Sequence, residues 1–240
     1  MTNPHPQPFS LRERGAKIVI IISANSEWRA IKTFFPDAEI HNSPYGELFH
    51  ATIGQHPVTA FYGGWGKISA AATAQYVIDY FQPDLLVNLG TCGGFEGRVE
   101  AGAIILVDRA VSYDIYEQMG DAGAAVDFFS TDLDLSWLPP VDDLPVRRGI
   151  IVSGDRDIDP NDIPMLIERY DAFAGDWETA AIAWVAQKNG SRLLVLRGVS
   201  DLVNPDGGEA YGNIELFHKR AKDVMKSLLE IFTDIINRIA

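Results

Sequence analysis

The order of predicted elements places the chain in the α/β class. Short β-branched apolar runs alternate with alanine-rich or amphipathic segments of helical period. Two further observations agree. Glycine-rich stretches follow directly on two of the apolar runs, at 63–66 and 90–94, and ligands of open α/β sheets bind beyond the carboxyl ends of strands. The 47% apolar content of the 240-residue chain is ordinary for one large globular domain with an ample core. We read residues 17–240 as that domain. Residues 1–16 hold prolines and charges but no apolar h-region, and read as a polar leader rather than a secretory signal.

Taken in order, residues 17–23 are β-branched and apolar, a buried first strand. A helix follows, with Ser26 as its predicted N-cap and Trp28, Ile31, Phe34 and Phe35 at helical spacing. Glu27 then falls in the first helical turn at the carboxyl edge of the sheet, either a partner of the helix dipole or a functional group. Residues 47–53 and 58–62 read as two strands joined by a tight turn. Gly63-Gly64-Trp65-Gly66-Lys67 feeds a helix over 68–81, an arrangement suited to an oxygen-rich ligand. Trp65 is there either a ligand wall or a surface anchor.

Residues 83–87 form the next buried strand, and 88–95 are predicted to be a glycine-rich loop that a ligand's atoms approach closely. The spacing is neither the dinucleotide fingerprint nor a P-loop. A strand over 103–107 leads into an acidic excursion, 108–145, expected to carry the least regular structure. Tyr113, Asp114 and Tyr116 near its start line a site, face a partner, or pack in a turn, the last being the reading for Tyr116. Residues 148–152 are a strand ending in Ser153-Gly154-Asp155, and Asp159-Pro160 opens a helix. An alanine-rich buried helix spans 176–186, with Glu178 near its start. A carboxylate in that setting needs an arginine partner or a ligand. The last buried strand, 193–196, runs into Arg197-Gly198-Val199-Ser200-Asp201, which puts Asp201 at a carboxyl edge. A final amphipathic helix covers 213–239.

Composition excludes several classes. A formal charge of −13 argues against a nucleic-acid surface or an anionic-membrane patch. A single cysteine, Cys92, rules out an intrachain disulfide and fits a reducing, cytoplasmic setting. It reads as a small buried filler. No apolar run reaches the roughly 18 residues a membrane span needs. Five scattered histidines show neither metal-ligand nor triad spacing, so no metal and no cofactor is implied.

Four stretches, in order, carry a resemblance. Asn88-Leu89-Gly90-Thr91-Cys92-Gly93-Gly94, Val152-Ser153-Gly154-Asp155, Trp177-Glu178-Thr179-Ala180-Ala181-Ile182-Ala183 and Val199-Ser200-Asp201 resemble motifs of the purine nucleoside phosphorylase and nucleosidase superfamily. Within it the chain is most similar to the 5′-methylthioadenosine/S-adenosylhomocysteine nucleosidases. The resemblance implies a three-layer αβα fold around a central twisted mixed sheet, and hydrolysis of a purine nucleoside to free purine and pentose. It implies that Asp201 protonates N7 of the departing purine, that Glu178 holds the ribose hydroxyls, and that Glu27 positions and deprotonates the attacking water. Thr91 and Gly93 would face sugar, water and base. Cys92, Trp65, Trp177, Ile158, Ser200 and Tyr211 complete the implied substrate-binding set.

Those residue types suit the chemistry. Glycosidic cleavage passes through an oxocarbenium-like state that a nearby carboxylate stabilises. A purine leaves badly as an anion, so a buried acid of raised pKa helps. The phosphorylases of the superfamily hold phosphate with arginines near the first strand exit and two residues before the central glycine. Here Glu27 and Asn88 stand at those places, which favours water as the nucleophile. Trp177 replaces a typical methionine, and Arg156-Asp157-Ile158 stands where the base is usually stacked. Trp65 stands at the usually smaller wall of the 5′ pocket, from which we expect a preference for methylthioadenosine over the bulkier adenosylhomocysteine. The family also implies a homodimer in which the excursion after Asp108 closes a neighbour's pocket. A phosphate-dependent phosphorylase and a non-catalytic nucleoside-binding protein are the two rival readings.

Overall fold

The computed structural model describes residues 16–239; the predicted leader lies outside the described residues except for Ala16. In chain order the elements are β1 (Ile18–Ile22), α1 (Asn25–Phe34), β2 (Ile40–Asn42), β3 (Glu47–Ile53), β4 (His56–Tyr62) and α2 (Gly66–Phe81). Then follow β5 (Leu85–Phe95), β6 (Ile104–Ser112), α3 (Ala122–Phe128), β7 (Thr131–Asp132), β8 (Val146–Ser153) and α4 (Ile163–Tyr170). β9 (Ala172–Asp176), α5 (Thr179–Lys188), β10 (Leu193–Asn204), β11 (Gly207–Gly208) and α6 (Ile214–Ile239) complete the fold.

β1 is buried at every position, as a strand covered on both faces must be. It pairs in parallel with β4 on one side and β5 on the other. The sheet is mixed. β5 runs parallel to β10, and β6 and β8 and then β8 and β9 are parallel pairs. β3 with β4, β6 with β10, and β5 with β9 are antiparallel. Because β10 pairs with both β5 and β6, the strands β5, β10, β6, β8 and β9 close on themselves. The expected three layers are present, with a closed, barrel-like region at one end of the central sheet. α1 and α6 pack over one face, around Trp28, Ile31, Met225 and Phe232. α2 and α5 pack over the other, around Ala70, Ala74, Ala180 and Ala183. Alanines there let the two helices sit close to the strands.

Four sequence expectations are corrected. Residues 88–95 are not a loop but the second half of β5. The glycines serve close packing: a Cβ on Gly94 would lie 2.7 Å from both Val199 and Val99 side chains. β10 likewise continues past Leu196 to Asn204, with a bulge between Val199 and Asp201. The excursion is more ordered than expected. It contains the end of β6, α3 and β7, and Leu135, Trp137 and Leu138 are buried in the core. Ser26 does not cap α1. Ala24 is the N-cap, and Glu27 at the third helical position returns its carboxylate to the Ala24 N–H at 3.1 Å.

Candidate active site

All three acids lie where a strand hands over to a helix, or at an irregularity within a strand, and the sheet gathers those points on one rim. Glu27 stands just past β1 and is 2% exposed. Its Oε1 accepts from the Thr91 N–H at 2.5 Å and the Thr91 hydroxyl at 2.7 Å. With Ala24 on Oε2, three donors fix this carboxylate.

Glu178 occupies the N-cap position of α5 and is 5% exposed. Its Oε1 accepts from the Gly66 N–H at 3.1 Å, at the start of α2. Burial, reinforced by the charge of Asp176 and opposed by that of Arg197, pushes its carboxyl up to about 8. Asp201 follows the bulge in β10, is 5% exposed, and its Oδ1 accepts from the Ser200 hydroxyl at 2.7 Å. Burial drives its carboxyl above the ordinary range, with the Ser200 bond opposing.

These three acids border one cavity of about 690 Å³, within the range of small-molecule sites. Thr91, Cys92 and Gly93 of β5 line it, as do Trp65, Trp177, Ile158, Ser200 and Tyr211. The residues singled out from sequence, although spread over most of the chain, therefore share one enclosure. Trp65, 65% exposed, tilts against Trp177 with ring centroids 5.1 Å apart, so the pair forms a rim. Tyr211 donates its hydroxyl to the Ile158 carbonyl at 2.8 Å and bridges two loops at the end bounded by Asp201. Cys92 is buried, and that burial raises its thiol pKa strongly, which leaves it no nucleophilic role.

The arginine partner considered for Glu178 exists but pairs elsewhere. Arg197 is fully buried, and its Nε lies 2.8 Å from Asp176 Oδ2. Nε also donates to the Thr179 hydroxyl at 2.7 Å, and Nη2 to Asn88 Oδ1 at 2.7 Å. Asp176 is held further by the Ser153 hydroxyl at 2.5 Å, which gives the Ser153-Gly154-Asp155 stretch a structural purpose. Asp155 in turn accepts from the Lys67 N–H at 2.7 Å and so fixes the loop that presents Gly66 to Glu178. Arg197 Nη1 has no hydrogen-bond partner among the described residues. It lies 1.8 Å from where a Cβ on Gly90 would stand, and Glu27 Oε1 lies 3.1 Å from that same point. A guanidinium with one free face thus backs onto Glu27.

Sequence reasoning missed Arg197 and Asp176. The available signal was an arginine inside the apolar run Leu193-Leu194-Val195-Leu196-Arg197, a charge that only a buried partner can justify. It also missed Arg29 and His218, which line the cavity from α1 and α6. Among the described residues no group of three or more His, Cys, Asp or Glu side chains is arranged to hold a metal ion.

Comparison with known proteins places the chain in a family. Residues 17–237 match the family model of the phosphorylase superfamily. The 5′-methylthioadenosine/S-adenosylhomocysteine nucleosidase of Thermotoga maritima is 30% identical over 160 residues, 66% of this chain and 72% of that protein. That of Bacillus pumilus is 27% identical over 210 residues, 81% of this chain and 90% of that protein. Among solved structures, the apo form of Arabidopsis thaliana 5′-methylthioadenosine nucleosidase superposes with a TM-score of 0.76 at 24% identity, covering 97% of each chain. The Streptococcus pneumoniae nucleosidase with a transition-state inhibitor gives 0.71 at 21% identity, over 92% of this chain and 99% of that one. With its fold shared and residues 17–237 matched, the chain belongs to the phosphorylase superfamily.

Proposed function

We propose that the chain hydrolyses the N-glycosidic bond of 5′-thioadenosine nucleosides, 5′-methylthioadenosine foremost and S-adenosylhomocysteine with it, releasing adenine and the thiopentose. The observation that carries this reading is the convergence of three buried carboxyls on one cavity, each with a different set of donors. Different surroundings assign different roles to identical groups.

Asp201, raised in pKa by burial, is the general acid. As the C1′–N9 bond breaks, its electron pair moves into the purine, and the Asp201 proton goes to N7. Glu178 meets the ribose hydroxyls, and in its ionised form it stabilises positive charge developing at C1′. Glu27 orients water. Its Oε1 is taken twice by Thr91 and its Oε2 once by Ala24, which leaves one Oε2 lone pair for a water proton. The free Nη1 of Arg197 backs the same carboxylate. Water adds to C1′, and Glu27 takes the proton. A positioned acid or base contributes about 10²–10⁴-fold.

Water rather than phosphate is supported by Asn88, whose amide is committed to the Ile21 carbonyl at 3.0 Å and to Arg197. Asn88 itself is neutral, and the cation beside it, Arg197, is paired with Asp176. We also infer a homodimer, in keeping with the exposure of the large apolar side chains Ile68, Tyr116 and Met119. Tyr116, read from sequence as turn packing, is among them. A cytoplasmic setting is in keeping with the lone buried thiol.

The deciding experiment is adenine release from adenosine, inosine, methylthioadenosine and adenosylhomocysteine, with and without inorganic phosphate. Turnover of the adenine thionucleosides without phosphate, yielding free thiopentose, is expected. Dependence on phosphate with a pentose 1-phosphate product would overturn the hydrolase reading. Tight binding with no turnover under either condition would favour a binding protein.

A further inference from the structure

One cation at the cavity has no counter-charge among the described residues. The chain carries 33 acidic residues against 20 lysines and arginines, and several of its arginines pair with carboxylates. Arg156, also at the cavity, pairs with Asp162, and Arg220 pairs with Glu209. Arg29 lines the cavity from α1 yet has no acidic partner among the described residues. Among the described residues its side chain hydrogen-bonds to His218 Nε2 alone, at 3.2 Å.

That bond fixes the chemistry around it. A guanidinium has donors only, so His218 Nε2 must accept. Nδ1 then carries the proton and donates to the Ser26 hydroxyl, 2.8 Å away. Ser26 and Arg29 are three apart on α1 and share a face, and His218 joins both to α6. Glu27, between them in sequence, turns instead to Thr91. His218 is therefore a strut that aims the guanidinium while leaving most of its five N–H groups unclaimed.

The position matters as well. A nucleoside with its base against Asp201 and its sugar across Glu178 and Glu27 directs its 5′ arm away from the base. Asn25, Ser26, Arg29, Phe217 and His218, on α1 and α6 or at their starts, line the same cavity, and we place the 5′ arm against them. Phe217 suits a thioether carbon chain. Arg29 suits what such a chain ends in, when it ends in an anion. A methylthio group offers nothing to a guanidinium; an amino-acid tail offers a carboxylate, which arginine pairs with bidentately.

We propose that Arg29, aimed by His218, is the specificity determinant that reads a carboxylate on the substrate's 5′ tail. The proposal rests on the nucleosidase reading above, because that reading sets where the 5′ arm lies. It is independent of the wall formed by Trp65, which limits bulk rather than charge.

The test compares three probes: methylthioadenosine, adenosylhomocysteine, and 5′-(3-aminopropylthio)adenosine, which keeps an amino tail but lacks the carboxylate. Wild type, Arg29→Met and Arg29→Lys are assayed for adenine release at low salt. For Arg29→Met, kcat/KM for adenosylhomocysteine relative to methylthioadenosine is expected to fall roughly three- to tenfold, the scale of an exposed charged hydrogen bond. The loss should lie in KM. Arg29→Lys should retain part of the ratio, and the aminopropyl probe should not lose ground to methylthioadenosine. A ratio unchanged within twofold, or an equal loss for the aminopropyl probe, overturns the proposal. Disturbed packing of α1 would slow all three probes together, which also counts against it. If the wild type releases adenine from none of them, the nucleosidase reading falls on its own. Calorimetric affinities of the same probes for wild type and Arg29→Met then decide the Arg29 claim separately.

Discussion

Replacing Glu178 by glutamine should stabilise the protein at high pH, and the structure sets how much. Gln is nearly isosteric and can still accept from the Gly66 N–H that meets Glu178 at 3.1 Å. It cannot ionise. The folded-state carboxyl of Glu178 is pushed up to about 8 from an ordinary 4.5, first by burial and then by Asp176. A carboxyl raised on folding costs nothing below its unfolded value, where both states are protonated. As pH climbs from about 4.5 the unfolded chain loses its proton and the folded chain does not, so stability falls until about 8 and then levels off. At about 1.4 kcal/mol per pH unit, Glu178→Gln should gain nothing near pH 4, up to about 3 kcal/mol at pH 7 and up to about 5 kcal/mol above pH 8. Urea unfolding of both proteins at several pH values measures the difference. A gap that stays constant with pH, or one that grows as pH falls, would refute the assigned cause. The variant should at the same time bind nucleoside poorly, the stability–activity trade expected of a strained site.

Three further outcomes are expected. Asp201→Asn keeps an acceptor for the Ser200 hydroxyl but has no proton to give; kcat for adenine release should fall about 10²–10⁴-fold with nucleoside affinity retained, as steady-state kinetics and calorimetry will report. Gly90→Ala would place its Cβ 1.8 Å from Arg197 Nη1 and 3.0 Å from Cζ. Asp176, Thr179 and Asn88 prevent that buried side chain from retreating, so a loss on the order of 3 kcal/mol or more is expected in denaturant titration. Trp65→Ala removes the ring tilted against Trp177 and should raise kcat/KM for adenosylhomocysteine relative to methylthioadenosine, the opposite direction to Arg29→Met; no change in that ratio would remove Trp65 from the 5′ wall.

Much of the fold was legible because burial on both faces leaves an unmistakable pattern. Ile18 to Ile22 could hardly be anything but a central strand. The acids were legible for a related reason: Glu27 follows such a strand, and Asp201 follows another, so the apolar run marks the rim on which the polar residue stands. What failed did so where a residue type serves a purpose other than its usual one. Gly90, Gly93 and Gly94 suggested a loop, yet they lie within β5, because valine and arginine side chains need the space a Cβ would fill. β9 is Ala-Phe-Ala-Gly-Asp, too short and too small to announce itself by propensity. The Ser26–His218 contact joins residues 192 apart, and no local pattern could couple them.

These failures and the site have a common origin. Asp201 comes opposite Gly93 only because β10 pairs with β5 beyond the bulge after Val199. Gly93 also pairs with Gly175 of β9, two residues before the half-buried Trp177 and three before Glu178. Two partner strands crowd one residue, and a side chain there would meet Val203 at 3.2 Å. Closure of the strands at this point is thus what brings the acid of β10 and the acid after β9 to the same cavity, and Thr91, two residues earlier, delivers Glu27 to it. On this argument the glycines of β5 do not primarily make room for a ligand; they permit the curl of the sheet, and the convergence of the carboxyls follows from that curl. A bulky residue at Gly93 should accordingly disturb all three acids at once, whereas a substitution of any single acid leaves the other two in place.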